Sequence, residues 1–247
     1  MFKIFNKDKF PTKIFVIASL LNLILLISVF FILASNFTFT KADNARYFFK
    51  DDINQNDPYV TSIPNLKEML EGPIISEDDP ILGSIEAPVV IVNFSDFQCE
   101  FCEEQESVIK KILNEYGDQV SYLWKDYPEL VSYSNSWKSS IAARCAQEQG
   151  KFWEYHDLLY SKIDVEEKDK DFYVDLAEQI GLRKNTFEEC LDDPEIATLI
   201  HSNILEAQAL DIYGIPFVYV NNQEVMGEIT YEDLKTLVDL ELSQGGS

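Results

Sequence analysis

Two cysteines three positions apart, Cys99 and Cys102, lie where a strand pattern gives way to a helix pattern, in the stretch VNFSDFQCEFCEEQ. Residues 87–97 (APVVIVNFSDF) are apolar at nearly every position, which is typical of a strand buried on both faces. The apolar residues that follow recur with helical spacing: Ile109, Ile112, Leu113 and Tyr116. About one helical turn therefore separates two thiols at the start of a helix, and they are close enough to form a disulfide.

The position of each cysteine predicts a different role. Free backbone N–H groups and the helix dipole favour negative charge at a helix N-terminus, so the sulfur of Cys99 is expected to ionise readily. Cys102 points toward the apolar face that Ile109 continues, and it is expected to be the more buried of the two. This predicts Cys99 as the nucleophile in disulfide exchange and Cys102 as the resolving thiol.

Two other interpretations of the cysteines are a zinc site and a pair of inert buried thiols. Zinc normally takes four ligands, often from a second CxxC or paired histidines. The remaining cysteines and histidines, Cys145, Cys190, His156 and His201, are far apart in the sequence. The sequence therefore favours redox chemistry and predicts no metal and no cofactor, since no dinucleotide-binding motif is present either. His156 lies in an aromatic helical segment and is interpreted as a core residue.

An uncharged apolar segment, residues 14–33 (IFVIASLLNLILLISVFFIL), is long enough as a helix to cross the roughly 30 Å core of a bilayer. The residues before it carry four lysines and one aspartate, which predicts that the N-terminus stays in the cytoplasm and the rest is exported. A cleaved signal peptide is the alternative, but its apolar core is shorter and ends at a small-x-small site. We interpret the segment as a retained signal anchor; both interpretations give an exported domain.

The chain is predicted to contain four parts. They are a basic cytoplasmic N-terminus (1–13), a transmembrane signal anchor (14–33), a juxtamembrane stalk (34–77) and an exported domain (78–247) with a helical insertion at about 132–212. The net charge of −23 argues against nucleic acid and anionic lipid as partners, because both need a basic surface. The predicted location is the cell membrane, with a single span and the large domain outside.

The element order within the exported domain is strand, helix, strand, a helical block, then two strands and a helix. One helix of the block is predicted to start at Asp193, with Pro194 in its first turn, and to be closed by Gly214. The late strands are joined by an Asn-Asn turn, typical of a hairpin. This α/β order resembles a thioredoxin fold with a helical insertion, preceded here by one N-terminal transmembrane helix.

Three motifs make the resemblance more specific: FSDFQCEFC (94–102), ARCAQEQGKFWEYHDLLY (143–160) and GIPFVYVNN (214–222). They resemble the DsbA-like thiol–disulfide oxidoreductases, in the membrane-anchored, exported bacterial branch, and the resemblance covers about residues 78–242. It implies the same roles for the cysteine pair and a structural disulfide between Cys145 and Cys190. It also implies a cis bond between Ile215 and Pro216 beside the cysteines, where the backbone of Ile215 pairs with an extended client.

The sequence departs from the family pattern at several positions. Glu100 and Phe101 stand where relatives often carry proline and where strong oxidants carry histidine, and Asn93 replaces a buried acid. Asp96 is the nearest remaining acid; it is a candidate proton relay, although a capping or solvated carboxylate is the favoured interpretation. Lys125 matches a basic position of the second strand and is interpreted first as a surface lysine, and second as a group that holds a carboxylate or water near the site.

These features predict a membrane-tethered oxidoreductase that introduces disulfides into exported proteins. Its partners would be unfolded exported proteins with free thiols and a membrane redox protein that reoxidises the site. Phe101 and Phe97 flank Cys99 and are candidates for an apolar client-binding platform, although Phe97 fits a core position equally well. A disulfide reductase or isomerase of the same fold, and a non-catalytic client-binding module with the disulfide as a clasp, are the alternatives.

Overall fold

The structure is a computed structural model that describes residues 70–129 and 134–245. The predicted signal anchor and nearly all of the predicted stalk lie outside these residues. Within the described part of the chain, none of the helices combines the length and the apolar character that a membrane crossing requires. The described strands are β1 (Ile81–Leu82), β2 (Val89–Ser95), β3 (Val120–Asp126), β4 (Phe217–Val220) and β5 (Gln223–Met226).

One described α-helix lies between β2 and β3, five lie between β3 and β4, and one follows β5. They are α1 (Glu100–Tyr116), α2 (Asn135–Gln147), α3 (Phe152–Tyr160), α4 (Lys170–Gln179), α5 (Lys184–Cys190), α6 (Pro194–Ala209) and α7 (Tyr231–Gln244). Helices α2 to α6 lie between β3 and β4, so they form the predicted helical insertion. The thioredoxin-like α/β fold with a helical insertion is therefore confirmed.

The described strands form one sheet in the order β1-β3-β2-β4-β5. Strands β2 and β3 are parallel and are connected through α1, whereas β1 with β3, β2 with β4 and β4 with β5 are antiparallel. Every residue of the central strand β2 is buried, as its continuous apolar sequence predicts. Strand β1 was not predicted from the sequence, because two residues are too few to show an alternating pattern.

Strand β2 separates two hydrophobic clusters because alternate side chains point to opposite faces. Val89 and Ile91 pack in the cluster that includes α1 and the insertion, and Val90 and Val92 pack in a second cluster with Phe94. The same alternation places Asn93 on the α1 side of the sheet. A polar residue therefore enters the core beneath the helix that carries the cysteines.

The packed domain begins earlier than the predicted boundary at residue 78. Leu70 and Ile75 are buried, and the Ile74 N–H donates to Glu206 Oε1 at 2.6 Å. Residues 70–77 therefore belong to the folded domain rather than to the stalk.

Helix α6 starts as predicted but ends before Gly214. The Asp193 carboxylate accepts from the Glu195 N–H at 2.9 Å, which caps the first turn. At the other end, Asp211 takes a positive φ of 56°, and the N–H groups of Asp211 and Ile212 donate to carbonyls of the last turn. The helix thus ends at Asp211 in a left-handed conformation, and not at Gly214 as predicted.

Candidate functional site

The cysteine pair lies at the first turn of α1. Cys99 caps this helix, and its sulfur accepts a hydrogen bond from the Cys102 N–H at 3.2 Å. The two residues form a disulfide, with Cα atoms 5.2 Å apart. Cys99 is half-buried, whereas Cys102 is completely buried. An incoming thiolate can therefore attack only the sulfur of Cys99, and Cys102 is positioned as the leaving and resolving sulfur.

The start of β4 lies at the same end of the sheet as the cysteines. Strands β2 and β4 are antiparallel with Phe94 opposite Phe217, so Pro216 lies where β2 ends and the chain continues to Cys99. The Ile215–Pro216 peptide bond is cis. Ile215 is half-buried and packs against the same hydrophobic cluster as Cys99. The structure thus brings these residues to one end of the sheet; their role in client binding stays a prediction.

Exposed apolar side chains also lie at this end of the sheet. Phe101 is 59% exposed, and Met226, whose partner in the sheet is Phe217, is 72% exposed. Phe97 is completely buried and stacks on Trp124, with ring centroids 4.6 Å apart. Of the two aromatic residues that flank Cys99, Phe101 is therefore available to a client and Phe97 is a core residue.

The turn that leads to Cys99 is held by Asp96. Its carboxylate accepts from the Gln98 N–H at 2.9 Å and from the Ser136 hydroxyl at 2.6 Å. Burial raises the pKa of Asp96, although both hydrogen bonds oppose the shift. Because each oxygen already has a fixed donor, the geometry matches the capping interpretation, and a proton-relay role for Asp96 stays a prediction.

A buried lysine supports the same turn. Lys168, just before α4, donates from Nζ to Gln98 Oε1 at 2.9 Å and to the Ile163 carbonyl at 3.1 Å. Burial lowers the pKa of Lys168, and Asp164 and Asp96 oppose this. A cation therefore reaches the residue next to Cys99 from the insertion, although the Glu100–Phe101 dipeptide contains none. Lys168 is 70 residues from Gln98 in the sequence, so the cysteine motif did not indicate this contact.

A polar cluster lies under α1, one turn beyond Cys102. Glu106 is buried, and its Oε1 accepts from the Tyr122 hydroxyl in a short hydrogen bond and from Asn93 Nδ2 at 3.3 Å. Burial, and after it the Glu106 carboxylate, raise the pKa of Tyr122 well above its usual value, so the phenol stays protonated. Glu106 was not among the site residues predicted from the sequence. It lies on the buried face of α1 with Ile109, and a charged residue at an otherwise apolar position is the signal that could have identified it.

The interpretation of Lys125 as a surface residue is wrong. Its side chain is only 2% exposed, and Nζ contacts Asp79 Oδ2 at 2.6 Å and Glu206 Oε2 at 2.9 Å. Arg144 extends this network, with Nε 2.5 Å from Asp126 Oδ2. The carboxylates belong to segments far from Lys125 in sequence, which is why the local pattern did not indicate burial. Lys125 thus holds the segment that contains Asp79, and helix α6, against β3, and its hydrogen bonds to described residues do not include the cysteines.

The other two cysteines are also paired. Cys145 on α2 and Cys190 at the end of α5 form a disulfide, with Cα atoms 5.7 Å apart, as the resemblance implied. Cys145 is completely buried and Cys190 is half-buried within the insertion. Among the described residues, no group of histidine, cysteine, aspartate or glutamate side chains converges in a way that would hold a metal ion.

Burial predicts the order in which the two disulfides are reduced. With a limiting amount of dithiothreitol, Cys99–Cys102 should become alkylatable first, because an attacking thiolate can reach Cys99, whereas Cys145 lies inside the insertion. Differential alkylation followed by peptide mass spectrometry would measure this order. Reduction of Cys145–Cys190 first, or simultaneous reduction in the folded protein, would contradict the assignment of the exchange-active pair.

Comparison with known proteins gives two kinds of similarity. The family model described as thioredoxin matches residues 76–240. Among curated proteins, a Na(+)/H(+) antiporter, NhaA 3 of Salinispora tropica, is 32% identical over 166 residues, which are 67% of this chain and 25% of that protein. The chain spans about a quarter of the length of the curated relatives it matches, so nothing about ion transport is carried over from their names.

Solved structures show the same fold. BdbD from Bacillus subtilis, in its oxidised form, superposes with a TM-score of 0.60 at 24% identity, covering 68% of this chain and 94% of that one. The thiol–disulfide exchange protein alpha-DsbA2 from Wolbachia pipientis gives a TM-score of 0.58 at 23% identity, covering 66% and 87% of the two chains. The family-model match over residues 76–240 shows that the chain belongs to the thioredoxin family, and its fold contains a helical insertion between β3 and β4.

Proposed function

We propose that this chain is a membrane-tethered thiol–disulfide oxidoreductase that introduces disulfides into exported proteins. The observation that carries the proposal is the accessible Cys99 bonded to the buried Cys102 at the N-terminus of α1. Support for the tether and for the location outside the cell comes from the sequence, in the apolar segment 14–33 and the lysines before it.

The reaction would proceed in two exchange steps. A client thiolate attacks Cys99 Sγ, a mixed disulfide forms, and Cys102 leaves as a thiolate. A second client thiolate then attacks the client sulfur of the mixed disulfide, the client disulfide forms, and Cys99 leaves as a thiolate. Two electrons pass from the client to the cysteine pair, so a membrane redox partner must remove them before the next cycle.

Client binding would use the end of the sheet that surrounds Cys99. The backbone of Ile215 is proposed to pair with an extended client segment, as in strand addition. Phe101 and Met226 would contact apolar side chains that unfolded proteins expose. Such a surface would bind unfolded clients in general and would not require a particular client sequence.

The direction of exchange is tested with the oxidised full-length chain in detergent and a reduced, unfolded model protein that has two cysteines. We expect stoichiometric client disulfide formation at a rate well above that of the buffer alone, and no such formation with Cys99→Ser. A chain that instead reduces or only rearranges client disulfides in glutathione buffer would favour the reductase or isomerase alternative. Labelling of reduced Cys99 by a membrane-impermeant maleimide in intact cells tests the predicted location.

The charges around Cys99 predict the redox potential of the pair. The pair is more oxidising when the thiolate of Cys99 is stabilised. Glu100→Pro removes a like charge and Phe101→His adds a cation, so both variants should be more oxidising, each by about 30 mV for a shift of about one pKa unit. Lys168→Met removes the buried cation that contacts Gln98, so this variant should be less oxidising.

Equilibrium titration in glutathione buffers measures these potentials, with Lys162→Met as a matched control on an exposed lysine of the insertion. If Glu100→Pro and Phe101→His make the pair more reducing, the backbone of the turn rather than charge sets the potential.

A further inference from the structure

Exposed glutamates lie around the accessible sulfur of Cys99. Glu100, Glu103 and Glu104 belong to the first turns of α1, and Glu103 is one helical turn beyond Cys99 on the same face. A further exposed glutamate, Glu228, follows β5. None of these side chains forms an ion pair with a lysine or arginine of the described part of the chain. Their negative charge is therefore not neutralised by a neighbouring cation there.

Glu228 lies beside both α1 and the segment that contains the cis bond. The N–H group of Gly227 donates to the Pro216 carbonyl at 2.9 Å. A hydrogen bond between the carboxyl groups of Glu104 and Glu228 raises the pKa of Glu228. Carboxyl groups from two separate elements thus meet between α1 and the backbone that is proposed to pair with a client.

The lysines of the insertion that approach this turn are already engaged. Lys168 is buried and donates to Gln98 Oε1 at 2.9 Å. Lys138 is half-buried, and its Nζ donates to the Lys168 carbonyl at 3.4 Å. The first lysine of α1, Lys110, lies about 16 Å along the helix axis from Cys99, at 1.5 Å per residue. The acidic side chains therefore dominate the exposed charge near Cys99.

Exposed aromatic rings lie next to these carboxylates. Phe101 is 59% exposed, and Tyr213, two residues before Ile215, is 81% exposed. The Tyr213 hydroxyl donates to Asp211 Oδ1 at 2.8 Å, so this ring too has a carboxylate beside it. The face of an aromatic ring attracts the cationic groups of lysine and arginine, and carboxylates bind the same groups. The rings and the carboxylates thus point to the same kind of client side chain.

We propose that this surface makes the chain selective for clients whose cysteines are flanked by lysine or arginine. The proposal rests on the exchange activity proposed above and deepens it. The client is attached through Cys99, in the two exchange steps already described, and the glutamates act on it through their electric field. The attacking group is itself an anion, so the glutamates repel a thiolate that approaches Cys99, and cationic neighbours in the client offset this repulsion. Selection by charge requires no particular client sequence.

The test uses the oxidised full-length chain in a non-ionic detergent and reduced peptides with two cysteines flanked by lysine, glutamine or glutamate. Each oxidation rate is divided by the rate of the same peptide with hydroxyethyl disulfide, an uncharged reagent, so that differences in thiol pKa between the peptides cancel. At about 10 mM salt, the lysine peptide should be oxidised about tenfold faster than the glutamate peptide, with the glutamine peptide between them. The ratio should approach one at about 1 M salt, because the Debye length falls from about 30 Å to about 3 Å.

A pair of double variants assigns the selectivity to particular residues. Glu104→Gln/Glu228→Gln should lower the ratio of the lysine and glutamate peptides about threefold at about 10 mM salt. Glu86→Gln/Asp118→Asn is the matched control, because it removes the same charge from exposed residues at the end of β2 and β3 that is remote from Cys99, and its ratio should equal that of the wild type. A change in the redox potential of the cysteine pair alters both peptide rates alike, so the ratio reports selectivity alone.

Equal rates for the lysine and glutamate peptides at low salt would overturn the proposal and leave the oxidation of clients in place. An unaltered ratio in folded Glu104→Gln/Glu228→Gln would also overturn it. The salt dependence of the wild type needs no variant. A wild type that oxidises none of the peptides would overturn the proposed function itself, and the selectivity with it.

Discussion

Replacing Cys99 by serine is expected to abolish disulfide exchange, whereas replacing Cys102 by alanine is expected to leave the chain covalently attached to its clients. Cys99 is the accessible sulfur, so without it no mixed disulfide forms. In Cys102→Ala, the Cys99 thiolate attacks a client disulfide and releases one client thiolate, and the variant has no Cys102 thiolate to attack Cys99 Sγ and release the client. The two variants therefore lose activity by different routes, although the two cysteines form one disulfide.

Non-reducing gels of cells that produce each variant, followed by mass spectrometry of the adducts, would distinguish these outcomes. The Cys145→Ala/Cys190→Ala double variant is the control, because it removes the other disulfide and should accumulate no adducts. If Cys102→Ala accumulates no client adducts while Cys99 remains alkylatable, the assigned roles are wrong.

Lys125→Met should destabilise the protein by about 3–5 kcal/mol, the usual cost of removing one partner from a buried ion pair. Methionine fills a similar volume but leaves Asp79 and Glu206 facing each other without their shared cation. Burial raises the pKa of Glu206, and Lys125 is a main group that opposes this shift. Without Lys125, Glu206 should therefore bind a proton more readily in the folded state than in the unfolded state, and the loss of stability should be smaller at pH 5 than at pH 8.

Urea unfolding at the two pH values measures this loss of stability. Lys111→Met is the matched control, because Lys111 is an exposed lysine on α1 and its replacement should change stability by no more than about 0.5 kcal/mol. Equal stability of Lys125→Met and the control at pH 8 would contradict the structural role of the network.

The elements that local sequence could predict are those with a strong local signal. The continuous apolar run of β2, the helical spacing after Cys102 and the aspartate cap of α6 each rest on neighbouring residues, and the structure contains all of them. The end of α6 was predicted less well, because Asp211 adopts a conformation that is more common for glycine. Strand β1 exists only through its pairing with β3, which a two-residue sequence cannot show.

For the candidate site too, the residues close together in sequence were predicted and those that depend on long-range contacts were not. The cysteine motif identified Cys99 and Cys102 because the reactive pair is contiguous in sequence. Lys125 was misread because its partners are 46 and 81 residues away, and charge alone favours the surface. Long-range contacts between the insertion and the sheet decide which charged residues are buried, and a single sequence contains no direct record of them.

The aromatic packing around α3 bears on how the insertion can be exchanged between relatives. Phe97, two residues before Cys99, contacts the rings of His156 and Tyr160, and Lys110 of α1 binds Asp157. Helix α3 of the insertion thus packs directly against the turn before Cys99 and against α1. A chimaera that receives the insertion of another family member would need the matching residues at positions 97, 106 and 110 as well, so the insertion is not an independent module for protein engineering.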